Sequence, residues 1–128
     1  MERNQQHPDN QYQDAGVRLE VDGVVAEVVL DRPARRNAQT PAMWRALAEI
    51  GDRLDPSIRV VVLRAEGTSF SAGLDRRMFE PAGIEGERSL VELARLEDDD
   101  LDAQIEEFQR AFSWWRRPEL VTVAAVQG

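Results

Sequence analysis

Cysteine is absent from this chain, which excludes disulfides, thiolate chemistry and cysteine-ligated metal. Lysine is absent too: apart from His7, every basic side chain is Arg. With that single His in a polar N-terminal stretch, no His-based triad or metal cluster can be assembled, and no metal site is expected. No apolar run approaches the roughly 20 residues that cross a bilayer; the longest near the C-terminus is Val121 to Val126. Met1 to Ala15 carries no apolar segment for export. These absences predict a soluble, cytoplasmic protein with no membrane partner. A formal charge of −8 weighs against a nucleic-acid partner, which needs basic surface for phosphate.

What is present suits one hydrophobic core: 128 residues with 42% apolar side chains, too short for two ordinary domains. Residues 1–16 read as a disordered polar leader, and residues 17–128 as the domain. Val17, Leu19 and Val21 alternate with polar residues, Asp22-Gly23 supplies a two-residue turn, and Val24 to Leu30 follows as an apolar run, together a β-hairpin pattern. Thr40 before Pro41 has the N-cap and first-turn arrangement, and Met43, Leu47, Ile50 and Leu54 recur at helical spacing. The sequence therefore predicts a helix from Pro41 to about Leu54. Val60 to Leu63 reads as a strand buried on both faces. Glu80 to Asp100 is broken by Pro81, Gly83 and Gly86 and reads as mobile, with a helical turn or two over Ser89 to Leu96. Leu101, Ile105, Phe108 and Phe112 mark a second amphipathic helix ending near Arg117-Pro118, and Leu120 to Val126 a last strand. Trp44, Trp114 and Trp115 are read as packing residues. Strands and helices in this order predict an α/β layered fold with crossover connections. The pairs Arg35-Arg36, Arg76-Arg77 and Arg116-Arg117 admit two readings, phosphate recognition or solvated faces.

Phe70-Ser71-Ala72-Gly73-Leu74-Asp75 carries the most chemistry. Small side chains between a strand and a helix start let a ligand approach the main chain, and N–H groups without internal partners there can donate to a carbonyl oxygen gaining charge, as an oxyanion hole requires. Ordinary strand-to-helix turns use the same residues, so the loop alone leaves both readings open. It stands in order with Asp31-Arg32-Pro33-Ala34-Arg35-Arg36-Asn37-Ala38, the strand Val60-Val61-Val62-Leu63, and the strand end Ala124-Ala125-Val126-Gln127-Gly128. Together these segments resemble the N-terminal portion of the enoyl-CoA hydratase/isomerase (crotonase) family, over Val17 to Gly128.

The resemblance implies a crotonase-like (ClpP/crotonase) spiral of strand-strand-helix units, incomplete here. It implies coenzyme A thioesters as substrates, no separate cofactor, and an enolate-like intermediate held by two backbone N–H groups, the chemistry of a lyase or isomerase of fatty-acid metabolism. By position, Leu74 is implied to give the first donor as the catalytic group, with Ala72, Gly73, Asp75 and Arg76 lining the same loop near the acyl-CoA. Arg36, Asn37 and Ala38 are implied to pack along the CoA moiety, Arg36 meeting phosphate. Asn37 as a turn cap and Asp75 as a helix cap stay open as alternatives. The family's second donor and its catalytic carboxylates fall beyond Gly128, and Glu92, Glu97, Glu106 and Glu107 read as surface carboxylates rather than replacements. The chain by itself is thus expected to be a very poor hydratase; the alternative is a non-catalytic acyl-CoA-binding or interaction remnant. It is expected to be a fragment, a truncated gene product, or one half needing a complementary C-terminal half, with a trimer-type homo-oligomer for the complete domain. The strand Val121 to Val126, apolar on both faces, is expected to lack its cover.

Overall fold

The computed structural model of the chain describes residues 10–128. Its elements are β1 (Val17–Asp22), β2 (Val25–Leu30), α1 (Pro41–Arg53), β3 (Val60–Ala65), α2 (Leu90–Leu93), α3 (Asp98–Ser113) and β4 (Val121–Ala124). The strands form one sheet in the order β1-β2-β3-β4, antiparallel between β1 and β2 and parallel across β2, β3 and β4. Parallel pairing needs crossovers: α1 carries the chain from β2 to β3, and α2 and α3 carry it from β3 to β4. This is the α/β fold of the sequence reading, an incomplete mixed sheet with helices.

The hairpin turn sits one residue later than expected. Asp22 pairs with Val25, so the two loop residues are Gly23 and Val24, with Gly23 at φ 61. Glycine at the first of two loop positions matches the twist of the flanking strands, and the pairing that buries Val17, Val28 and Leu30 sets that register. The strand β3 is also corrected. Val61 is buried and Leu63 and Ala65 pack on the core, but the opposite face carries Arg64, which donates to Glu20, Glu27 and Glu66. Arg18 donates from β1 to Asp31 and Glu66. One face of the sheet therefore carries an ion network across three strands, lying over the buried Val29, and the main core cluster lies on the other.

Residues 10–16 correct the leader expectation. Asn10–Ala15 form a 3-10 turn, and Tyr12, 4% exposed, belongs to the core under β1 and α1. An aromatic ring that can be buried against a neighbouring sheet overrides the polar composition around it. The rest of the expected leader, residues 1–9 with His7, lies outside the described residues.

Thr40 caps α1 as its sequence implies, accepting from the Met43 N–H at 3.2 Å. Met43, Leu47 and Ile50 turn inward. Gly51 faces the Trp114 indole, which donates to Leu47 C=O at 3.0 Å and stacks on Trp115 at 4.2 Å. A Cβ on Gly51 would stand 2.4 Å from Trp114 Cγ. Helix propensity alone favours Gly51→Ala by about 1 kcal/mol; overpacking is expected to reverse the sign, to a loss of about 1–3 kcal/mol in urea denaturation. A more stable variant would show that Trp114 yields freely.

The strand β4 closes the sheet with an uncovered edge. Val121 is 61% and Val123 47% exposed, and a shallow apolar cavity of about 350 Å³ is lined by Val123 with Leu63, Phe112, Trp115, Thr122 and Ala124. Where β1 alternates Arg18, Glu20 and Asp22 along its edge, β4 has no charge. Among the described residues no helix is long and apolar enough to cross a membrane.

Candidate functional site

The three motif segments meet where β2, β3 and β4 end. Asn37 is the clasp. Its Oδ1 accepts from Arg32 N–H at 2.7 Å, and its Nδ2 donates to Glu66 C=O and Ser69 C=O, both at 2.8 Å. The residue is 0% exposed. Its own backbone and that of Arg36 are left-handed, at φ 53 and 52. Such a conformation costs of order 1–3 kcal/mol at a residue other than glycine, and the Asn37 bonds hold both residues in it. Every polar side-chain atom of Asn37 is engaged within the protein, and the residue positions the loop that ends in Arg36. Gln127 closes the other side, accepting from Phe70 N–H and donating its amide to Ala65 C=O.

Leu74 lies at the centre. An isolated parallel bridge joins it to Gln39: Gln39 N–H donates to Gly73 C=O at 2.7 Å, and Asp75 N–H donates to Gln39 C=O at 2.8 Å. Successive main-chain groups alternate in direction along an extended segment, so the N–H of Leu74 itself points away from Gln39. It donates to no acceptor among the described residues. The sequence argument attributed free N–H groups here to a helix start, yet the following element is only the four-residue 3-10 turn Arg76–Phe79. The bridge, not a helix terminus, leaves the Leu74 donor free. Gly73, at φ 86 with open space around its Cβ position, leaves room beside it.

Asp75 takes the capping alternative. Its carboxylate, 5% exposed, accepts from the Arg77 N–H and guanidinium and faces Arg32 at 3.5 Å. The hydrogen bond from the Arg77 side chain, helped by its backbone N–H and the charge of Arg32, holds the carboxyl well below the usual range despite burial. Asp75 is thus ionised near neutral pH, its carboxylate occupied by Arg77 and facing Arg32. Arg36, Ala72 and Arg76 differ: all three are exposed, and neither guanidinium has a hydrogen bond or ion pair among the described residues. Ala72 N–H donates to Arg36 C=O at 2.8 Å, which ties the loop carrying Arg36 to the loop that carries Leu74. Ala38 is half-buried, its C=O taken by Arg32.

Sequence reasoning missed Gln39 and the second role of Trp44. Trp44 packs as expected, its ring 4.9 Å from Phe108, but its Nε1–H also donates to Gln39 Oε1 at 3.0 Å. Gln39 directly precedes the Thr40 cap and Trp44 is the fourth helical residue, the spacing at which apolar pairs staple a helix start. A polar pair at that spacing was the available signal.

No protein-family model matches the chain. A Thermus thermophilus protein assigned as an enoyl-CoA hydratase is 38% identical over 112 residues, 83% of this chain and 38% of that protein. The mitochondrial Delta(3,5)-Delta(2,4)-dienoyl-CoA isomerase of Mus musculus is 29% identical over 111 residues, 81% of this chain and 32% of that protein. Among solved structures, a Thermobifida fusca protein assigned as an enoyl-CoA hydratase superposes with a TM-score of 0.85 at 40% identity, covering 98% of this chain and 47% of that one. The same protein has been solved in complex with acetoacetyl-CoA, with a TM-score of 0.83 at 40% identity over 94% of this chain and 47% of that one. The chain spans under half the length of each of these proteins.

Proposed function

The chain belongs to the enoyl-CoA hydratase/isomerase (crotonase) family, and from that premise we propose that it forms one half of an acyl-CoA thioester site. The observation that carries this reading is the free, bracketed N–H of Leu74 beside the unpaired Arg36 and Arg76. A thioester oxygen accepting from Leu74 gains negative charge as the adjacent carbon takes on enolate character, and the donor then counts for more than it does in the ground state. Arg36 and Arg76 present planar donor forks to the phosphates of CoA, while Ala72 and Gly73 let the ligand approach the main chain.

The described residues supply no proton-transfer group to this point. Asp75 is locked by Arg77 and Arg32. The second donor, the acid and the base come from outside these residues, in a complementary C-terminal half of the domain. With them, the reaction is addition of water across a 2-enoyl-CoA, or isomerisation or hydrolysis of a related thioester, in the cytoplasm and in a trimer-type assembly. The thioester is the substrate and the reading includes no further cofactor. A second reading, a non-catalytic acyl-CoA-binding module, is favoured by the single donor and the absence of a free carboxylate at the loop among the described residues.

Calorimetric titration with acetoacetyl-CoA tests the proposal. Saturable binding is expected, weakened roughly three- to tenfold by Arg36→Ala and again by Arg76→Ala, and weakened by salt. No binding at millimolar ligand would overturn it.

A further inference from the structure

Resting on the thioester reading above, we infer that Gln39 is a positioning residue for the Leu74 N–H, acting through a one-way relay of hydrogen bonds that begins at the Trp44 indole. An indole N–H donates only. It lies 3.0 Å from Gln39 Oε1, which fixes the orientation of the amide. Gln39 Nε2 therefore faces the opposite way, where it donates to Ser71 Oγ at 3.2 Å. A hydroxyl has one proton and two acceptor sites. Ser71 Oγ accepts from Gln39 Nε2 and from Gly73 N–H at 3.2 Å, so its proton goes to Asn37 C=O, 2.8 Å away. The relay cannot run backwards, because Trp44 has nothing to accept with.

The main chain of Gln39 meanwhile holds Gly73 C=O and Asp75 N–H. Side chain and main chain together grip the loop on both sides of Leu74 and leave its N–H without an acceptor among the described residues. A donor stabilises a developing oxyanion to the extent that it is in place before the charge appears. Gly73, at φ 86 with nothing near its Cβ position, contributes no stiffness of its own. Gln39 and Ser71 provide it, anchored by the packing of Trp44 on Phe108.

Two variants separate positioning from general support. Gln39→Met keeps the side-chain length and removes both of its bonds; Trp44→Phe keeps a ring and removes only the N–H that sets the direction, so it serves should the first fail to fold. The 128-residue chain and both variants are titrated with CoA and with acetoacetyl-CoA, and amide exchange at Gly73 and Leu74 is followed by NMR. The wild type is expected to prefer acetoacetyl-CoA. The variants should lose about tenfold of that preference with CoA affinity unchanged, and should exchange faster at Gly73, whose N–H is held by Ser71 Oγ, with the unbonded Leu74 amide as the unprotected reference. Equal weakening of both ligands, or wild-type exchange at Gly73, overturns the inference and leaves the thioester reading standing. No preference for acetoacetyl-CoA in the wild type overturns the thioester reading, and with it the role of Gln39.

Discussion

The purified chain is expected to hydrate crotonyl-CoA on the order of 10⁴- to 10⁷-fold more slowly than an enzyme with two oxyanion donors and both carboxylates in place. One preorganised donor accounts for about 10²- to 10³-fold in rate, and positioned acid–base groups for about 10²- to 10⁴-fold. On the proposed reading Leu74 is a single donor on an open loop, where water competes for the same oxygen and the field of the N–H is weakened. Among the described residues the carboxylate of this loop, Asp75, is ionised and bound to Arg77. The loss of enoyl absorbance on hydration gives the rate directly. Turnover within about a hundredfold of such an enzyme would mean that groups in this chain perform the proton transfer, and the half-site reading would fail. Saturable acetoacetyl-CoA binding with no turnover is the result that agrees with it.

Replacing Asn37 with Ala is expected to cost about 3–5 kcal/mol, a large share of the roughly 5–15 kcal/mol that holds a domain together. Each of the three side-chain bonds of Asn37 satisfies a backbone group, Arg32 N–H, Glu66 C=O or Ser69 C=O, and each group left bare in the interior costs about 1–3 kcal/mol unless water reaches it. Ala also lacks the side chain that holds the left-handed backbone here. Asn37→Asp is a sharper probe: it keeps the acceptor for Arg32 N–H but turns a carboxylate oxygen toward Glu66 and Ser69 C=O, which need donors. Both variants should shift the urea midpoint strongly downward and release the loop that carries Arg36. A loss below about 1 kcal/mol for Asn37→Ala would show that the clasp is dispensable.

Legibility in the sequence followed the range of the interaction. The helix α1 was readable because Thr40, Pro41 and the stripe from Met43 to Ile50 act within a few residues of one another. The two strands of the hairpin were readable from alternation, whereas the turn was displaced by one residue because pairing across the strands, and not the Asp22-Gly23 dipeptide, sets the register. Asn10 to Ala15 was misread, since only the presence of a sheet and α1 beside it makes burial of Tyr12 favourable. Of the residues the motifs single out, Arg36, Arg76 and Ala72 are exposed and the Leu74 N–H has no acceptor among the described residues, while Asn37 and Asp75 hold the frame.

By itself the sequence determined the four strands and the two long helices, the absence of cysteine chemistry, and a small-residue loop flanked by arginines, because these are properties of residue type and local spacing. Only the tertiary structure decided which main-chain donor at that loop is free. That outcome depends on Gln39 and Leu74, far apart in the chain, pairing as neighbouring strands do: the bridge consumes the groups on either side of Leu74, and the alternation of an extended backbone turns the remaining N–H outward.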